Sequence, residues 1–311
     1  MATAVDLGDD AVDVTDLTQV ERVLGTLRSR DGEAGFRATT LNLVVYAAST
    51  AEGEAAVRAI EEIGGSRPLR AIVASPGEAG PRARLSTSCF GEAGAHRVWC
   101  SEQILLEAQR EALASAVLSL LLSDLPLFLW WQGDTKTGGR TMRALAQEAA
   151  RLIVNSDECG LVRLAELDAL PAALTDLAWT RLTPWREALA RMFDAPTQRA
   201  ALGRLSRVDV QGPENQAALV AGWLRSRLRC SIHLHHRDAA CMERAVLHCG
   251  DETFSVQRMG EDHGAMAAPG VPEKTVLLEE HEAGVLLAAE LDVFGRDEVF
   301  EQALAAARED W

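Results

Sequence analysis

Leu41-Asn42-Leu43-Val44-Val45-Tyr46-Ala47-Ala48 is a continuous apolar run of strand length and β-branched content, and its surroundings decide the fold. Downstream, Ala56, Val57, Ile60 and Ile63 lie on one side of a helix over Glu52 to Ile63, and Leu69 to Ala74 is a second short apolar strand. A strand, a helix and a strand within about thirty residues suggest a βαβ unit and a parallel sheet pair. Upstream, residues 1 to 35 are acidic and then weakly helical, with Val20, Val23, Leu24 and Leu27 at helical spacing.

Beyond this unit the pattern shifts to a hairpin, Arg82 to Phe90 and His96 to Leu106, around Gly91-Glu92-Ala93-Gly94. A helix over Ala112 to Leu122 follows, burying Leu113, Val117, Leu120 and Leu121. Leu125 to Trp131 reads as a strand, Thr141 to Ala150 as a helix and Leu152 to Asn155 as a short strand. Leu161 to Phe193 reads as helical, broken at Pro171 and Pro184. A second rhythm begins near Ser206: strand (207–211), helix (215–228), strand (230–236). Strand-like segments near 242–248, 253–258 and 275–287 come next, and a last helix spans 297–308. The expected fold is α/β, an open, mostly parallel sheet with helices in the N-terminal part and a smaller α+β C-terminal domain. The expected organisation is an acidic segment over 1–35, an α/β domain over 36–203 and the α+β domain over 204–311.

Composition narrows the function. Hydrophobic residues make up 48% and charged residues 25% of the 311, which is globular composition. The formal charge of −15 opposes long-range attraction to nucleic acid or an anionic membrane, which depends on clustered Lys and Arg. Met1 to Val14 holds four Asp and no basic residue, the opposite of a secretory leader, so the expected location is cytoplasmic. Ala112 to Trp131 carries one charge, Asp124, but Asp124 and Pro126 interrupt it, and it reads as a buried helix followed by a buried strand, with no membrane span. The six cysteines are read as buried thiols. Cys89 and Cys100 sit on the two hairpin arms near enough for a diagonal contact, and independent thiols are the expectation there too.

Motifs for catalysis are missing. Neither G-x-x-x-x-G-K-[ST] nor G-x-G-x-x-G occurs, and there is no G-x-S-x-G elbow. The loop from Gly133 to Arg140 follows a strand, where open α/β sheets place ligands, and Lys136 and Arg140 are its weak anion-binding candidates. His233 and His235 alternate on one strand face, yet no C-x-x-C, H-x-x-x-H or H-E-x-x-H spacing supports a metal site. The reading is of a non-enzyme with no cofactor and no metal; a sugar-phosphate-binding protein or hydrolase using the 133–140 loop is the alternative.

Seven Trp against one Tyr, several beside Arg, are the unusual feature. Trp and Arg are enriched at binding hot spots. Trp131, Trp179, Arg181, Trp185, Arg186 and Trp223 are therefore the partner-interface candidates, with core packing as the competing role for each.

Several segments together resemble the OpcA family, the glucose-6-phosphate dehydrogenase assembly proteins, over nearly the whole chain. They are 41–45, Ser66-Arg67-Pro68-Leu69-Arg70-Ala71-Ile72-Val73, Cys100-Ser101-Glu102-Gln103-Ile104, and Ser123-Asp124-Leu125-Pro126 running to Trp130-Trp131. The 179–189 segment, Ala221-Gly222-Trp223-Leu224-Arg225-Ser226-Arg227-Leu228 and Asp297-Glu298-Val299-Phe300 complete the set. The resemblance implies a protein partner, glucose-6-phosphate dehydrogenase, in the oxidative pentose phosphate pathway. It also implies an assembly factor and allosteric activator favouring the active oligomer. In relatives a proline usually follows the Trp pair; here Gln132 does. Cyanobacterial members carry a thioredoxin-sensitive thiol, and the resemblance assigns it to no particular one of the six cysteines, which leaves redox control open.

Overall fold

The computed structural model describes residues 11–30, 39–64, 67–90, 99–133, 139–228 and 230–308. The turn expected at Gly91 to Gly94 lies outside them. The chain forms two compact units. The first comprises 1–159, 167–175 and 283–295, and the second 160–166, 176–282 and 296–311.

The first part of the chain runs β1 (Val12–Val14), α1 (Val20–Arg30), β2 (Asn42–Tyr46), α2 (Thr50–Gly64), β3 (Arg70–Pro76), β4 (Arg82–Phe90) and β5 (Trp99–Ala108). It continues with α3 (Leu113–Leu120), β6 (Leu127–Trp131), α4 (Gly139–Glu148), β7 (Arg151–Val154), α5 (Ser156–Cys159), α6 (Leu161–Leu167) and β8 (Ala173–Asp176). The eight strands form one sheet in the order β1-β4-β5-β3-β2-β6-β7-β8. From β5 through β3, β2 and β6 to β7 every pairing is parallel, as the βαβ reading requires. All five residues of β2 are buried, because helices cover both faces of a parallel sheet.

Two polar joints fix this layer. Asn42 donates through Nδ2 to the carbonyls of Leu122 (3.0 Å) and Leu125 (3.2 Å), and its Oδ1 accepts from the Leu122 amide (2.9 Å). The turn carrying Ser123-Asp124 is thereby held against the central strand. Arg70, fully buried, donates through Nε to Glu102 on β5 (2.6 Å) and through Nη1 to the Leu120 carbonyl (2.8 Å). Arg28 adds a second cation to Glu102, and Glu21 a second anion to Arg70. A buried charge persists only when paired and hydrogen-bonded in this way.

The remaining elements are α7 (Leu177–Arg181), α8 (Thr183–Arg191), α9 (Pro196–Ala201), β9 (Leu205–Gly212), α10 (Glu214–Arg227) and β10 (Ser231–His236). After them come β11 (Arg244–Cys249), β12 (Glu252–Arg258), β13 (His263–Ala267), β14 (Lys274–Leu277), α11 (Ala283–Leu291) and α12 (Glu298–Ala307). The second sheet has the order β10-β9-β11-β12-β13-β14; only β9 and β10 pair in parallel, joined through α10. The fold class is therefore α/β with a large, mostly parallel sheet in the N-terminal part and a second sheet in the C-terminal part.

Three expectations are corrected. Residues 161–193 are not helical throughout, since β8 lies within them; four residues are too few to show a period. The break expected at Pro184 is present: α7 ends at Arg181 and α8 begins at Thr183, with Pro184 in its first turn, where its missing N–H costs nothing. The strand expected over 275–287 ends at Leu277, and Ala283–Leu291 is helical; a short apolar run is ambiguous between buried strand and buried helix. Cys89 and Cys100 are not independent thiols. Their register places them directly opposite, with Cα atoms 4.0 Å apart, and they are joined as a disulfide. The run from Ala112 to Trp131 divides into α3 and β6, and no helix among the described residues is long and apolar enough to cross a membrane.

Candidate functional site

In the second unit the Trp–Arg segment forms a stacked layer. Asp176 caps α7 by accepting from the Ala178 amide (3.0 Å), which sets the helix carrying Trp179 and Arg181. The guanidinium of Arg186 lies 3.5 Å over the centroid of Trp179, and its Nη2 donates to the Thr183 hydroxyl (2.7 Å). Such a cation–π pair contributes about 0.5–2 kcal/mol, more as water is excluded. The Trp179 indole N–H donates to Asp297 (3.1 Å). The other oxygen of Asp297 caps α12 by accepting from Val299 (2.9 Å) and Phe300 (3.0 Å). One carboxylate thus ties α7 to the start of α12. Glu280 bridges Arg258 (2.6 Å) and Arg181 (3.7 Å), and Arg258 reaches toward the ring of Trp185 at 6.0 Å.

Burial divides the six candidates. Trp131, Trp179 and Trp185 are 1–2% exposed and pack inside their units. Arg181, Arg186 and Trp223 are half-buried and meet solvent. Trp223 stands on α10 beside Gly222, at which a Cβ would run into the carbonyl of Ala303 and come within 2.8 Å of Ala307 on α12. The structure brings Trp179, Arg186, Trp185 and Arg181 into one layer; Trp131 belongs to the other unit. Sequence reasoning missed Arg258 and Glu280, which complete the layer from β12 and the loop after β14. No local spacing signals either one.

In the first unit Trp131 ends β6 and stacks on Tyr46, the last residue of β2, with centroids 3.8 Å apart and planes 9° from parallel. The sheet order reverses between β2 and β6, so a crevice for a ligand belongs outside their C-terminal ends. Two carboxylates already hold the amides there. Glu52 accepts from the Ala48 N–H (2.6 Å) and Glu158 from the Gly133 N–H (2.8 Å). Gly133 has φ of +68°, and a Cβ at that position would come 2.7 Å from the Glu52 carboxylate. These two backbone donors are thus taken by the protein's own anions. Arg140 is exposed in the first turn of α4, near Arg143 and Arg110 around a shallow hollow, and Lys136 lies outside the described residues. Among the described residues no group of three His, Cys, Asp or Glu is placed to hold a metal ion.

The family profile described as glucose-6-phosphate dehydrogenase subunit N-terminal domain matches residues 60–170, and that of the subunit's C-terminal domain matches residues 172–304. The chain is 29% identical over 307 residues to the OxPP cycle protein OpcA of Nostoc punctiforme, covering 79% of this chain and 66% of that one. It is 32% identical over 184 residues to the OpcA of Synechocystis sp., covering 54% of this chain and 39% of that one. The chain therefore spans under two thirds of the length of these relatives. Among solved structures, levoglucosan dehydrogenase in complex with NADH and L-sorbose aligns with a TM-score of 0.48 at 10% identity, over 87% of this chain and 96% of that one, too loose a likeness for functional argument. The two family profiles, lying in sequence order and covering most of the chain, place it in the OpcA family of glucose-6-phosphate dehydrogenase subunits.

Proposed function

We propose that this chain is a non-catalytic partner of glucose-6-phosphate dehydrogenase that favours the active oligomer and acts as its allosteric activator in the oxidative pentose phosphate pathway. The observation that carries the reading is the match of both family profiles, each described as a subunit of that dehydrogenase. Outside the C-terminal ends of β2 and β6, Glu52 and Glu158 accept from the Ala48 and Gly133 amides, which supports a non-catalytic role. The family match does not favour the alternative, a sugar-phosphate-binding protein or hydrolase built on the 133–140 loop. A cytoplasmic location follows from the enzyme it would serve. The net charge of −15 disfavours nucleic acid as a partner.

An assembly factor shifts an equilibrium only by binding the active state better than the inactive one. A coupling of about 1–3 kcal/mol changes apparent substrate affinity roughly 5–150-fold, and reciprocity makes glucose 6-phosphate tighten the complex by the same factor. Within the candidate set, Arg181, Arg186 and Trp223 are the members we assign to the partner face, with Trp179 holding Arg186 by stacking and Glu280 holding Arg181. The test is dehydrogenase activity against glucose 6-phosphate, with and without this protein at saturation, alongside co-elution. A lower apparent KM or a higher kcat, together with co-elution, is the expected result. Unchanged kinetics would reduce the role to a structural subunit, and absent co-elution would remove the proposal.

A further inference from the structure

Alternation along β9, β10 and β11 puts a polar grid on one face of the second sheet. Arg207, Asp209 and Gln211 point there from β9, and the register sets His233 and Val246 on either side of Asp209. His235 and Arg244 flank Gln211 in the same way, and His248 lies beside Arg207. Asp209 is the centre. His248 approaches it at 2.7 Å, His235 at 3.3 Å and Arg207 at 3.0 Å. A carboxylate can only accept, so His235 presents a protonated Nε2 to it, while the Nε2 of His248 stands between Asp209 and the guanidinium of Arg207, 3.1 Å away. Burial pushes the Asp209 carboxyl up, but the hydrogen bonds from His235 and His248 and the charge of Arg207 outweigh that and hold it below the usual carboxylate range. The Asp209 carboxylate is thus engaged by three groups at the middle of a polar floor.

Above that floor lies a depression of about 560 Å³, bordered also by Arg237 just after β10. This is the volume of a small-molecule site, typically about 300–1,000 Å³. Neither Arg237 nor Arg244 has a carboxylate or hydrogen-bonded side-chain partner among the described residues. That is unexpected in a chain with 46 acidic against 31 basic side chains, where partners are abundant. Three guanidiniums against one carboxylate leave the lining with a net charge of +2 when its histidines are neutral. Guanidiniums bind phosphate in a bidentate fork, and a phosphate monoester carries close to the complementary charge.

We propose that this depression on β9–β11 is a binding site for a small phosphate monoester, held by Arg237 and Arg244 over the Asp209-centred floor. It is separate from the β2–β6 crevice and performs no chemistry. It does not depend on the dehydrogenase reading. The experiment is calorimetric titration of the isolated full chain with inorganic phosphate, then with a hexose 6-phosphate, using the parent hexose as control. The imidazole C–H signals of His235 and His248 are followed by NMR in parallel. Saturable binding of the phosphate compounds but not the hexose is expected, with both imidazole signals moving. Arg237→Ala/Arg244→Ala lowers the affinity at least tenfold, while Arg140→Ala/Arg143→Ala, at the other basic hollow, leaves it unchanged. No saturable binding at tens of millimolar, static imidazole signals, or equal loss from the two double variants would overturn the site. Loss of dehydrogenase association in Arg237→Ala/Arg244→Ala without phosphate binding by the wild type would also overturn it, making this face a protein-docking surface.

Discussion

Gly222→Ala is the substitution whose outcome the packing of the second unit fixes most tightly. In an isolated helix alanine is favoured over glycine by about 1 kcal/mol, so propensity alone makes the variant more stable. Here α10 lies against α12, and the new Cβ would stand 2.8 Å from both the amide nitrogen and the Cβ of Ala307, closer still to the Ala303 carbonyl. Carbon contacts settle near 3.5–4.0 Å, so α12 must retreat by roughly 1 Å. None of the three obstructing atoms can rotate away. α12 cannot retreat freely either, because Asp297 at its start holds the Trp179 indole. Overpacking of this kind typically costs about 1–3 kcal/mol, and here backbone atoms put it at the upper end. After the propensity gain, a net loss of about 1–2 kcal/mol is expected. Hydrogen exchange of the α10 and α12 amides reads this locally, where global unfolding of two units would blur it. Adding Ala307→Gly removes one obstructing carbon but not the carbonyl, so the double-mutant cycle should show coupling of about 1 kcal/mol and incomplete rescue. Stabilisation by Gly222→Ala, or zero coupling to position 307, would refute the close helix approach.

Glu102→Gln removes the buried carboxylate of Arg70, leaving it only the exposed Glu21, and should cost about 3–5 kcal/mol in chemical denaturation, whereas Arg70→Met/Glu102→Leu should cost far less. Trp223→Ala should weaken co-elution with the dehydrogenase by about 2 kcal/mol while leaving the melting profile intact; Trp185→Ala, 1% exposed, should lose fold stability instead. The depressed carboxyl of Asp209 contributes stability that is complete well above its ordinary value of 3.8 and is lost only as pH falls through the lower folded value. The stability gap between the protein and Asp209→Asn should therefore persist at neutral pH and close only below about pH 4, as denaturation midpoints across pH would show. Alkylation of the denatured, unreduced chain should label four cysteines and leave Cys89 and Cys100 untouched until a reductant is added.

The parallel centre of the first sheet was legible because its strands are continuous apolar runs, and a parallel strand buried on both faces needs no alternation to be seen. β2 and β6 are the clear cases. β8 was not legible, since Ala173–Asp176 offers four residues between helical segments and pairs only through the sheet already built. α11 was lost for the opposite reason: its residues are apolar enough all round to pass for a buried strand. At the candidate site, the Trp–Arg spacing of 179–186 announced a cluster but not its orientation. Burial of Trp179 and Trp185 follows from Arg258, Glu280 and Asp297, distant in sequence and without a motif of their own. The grid around Asp209 was visible only in part, as the alternation of His233 and His235. Its meaning depends on two strand registers that a sequence does not state.

The residues on which the family resemblance rests share a structural property that bears on where function lies. Asn42 pins the turn after α3, Arg70 and Glu102 pair inside the sheet layer, and Trp179 and Asp297 couple α7 to α12. Gly222 lets α10 meet α12. Each is a joint whose polar atoms or volume are spent on the protein's own interior. A side chain already saturated by internal partners gives little additional free energy to a partner, because its bonds would have to be exchanged and not gained. Recognition must then come from groups that folding leaves half-exposed or unpaired. In the second unit those are Arg181 and Arg186 in the stacked layer, Trp223 on α10, and Arg237 and Arg244 on the open sheet face. The two sets call for different ligands. Aromatic and stacked guanidinium groups suit a protein surface, whereas unpaired guanidiniums over a polar floor suit a phosphate. A chain equipped with both would join a protein partner to the concentration of a phosphorylated metabolite, provided that each ligand prefers the same state.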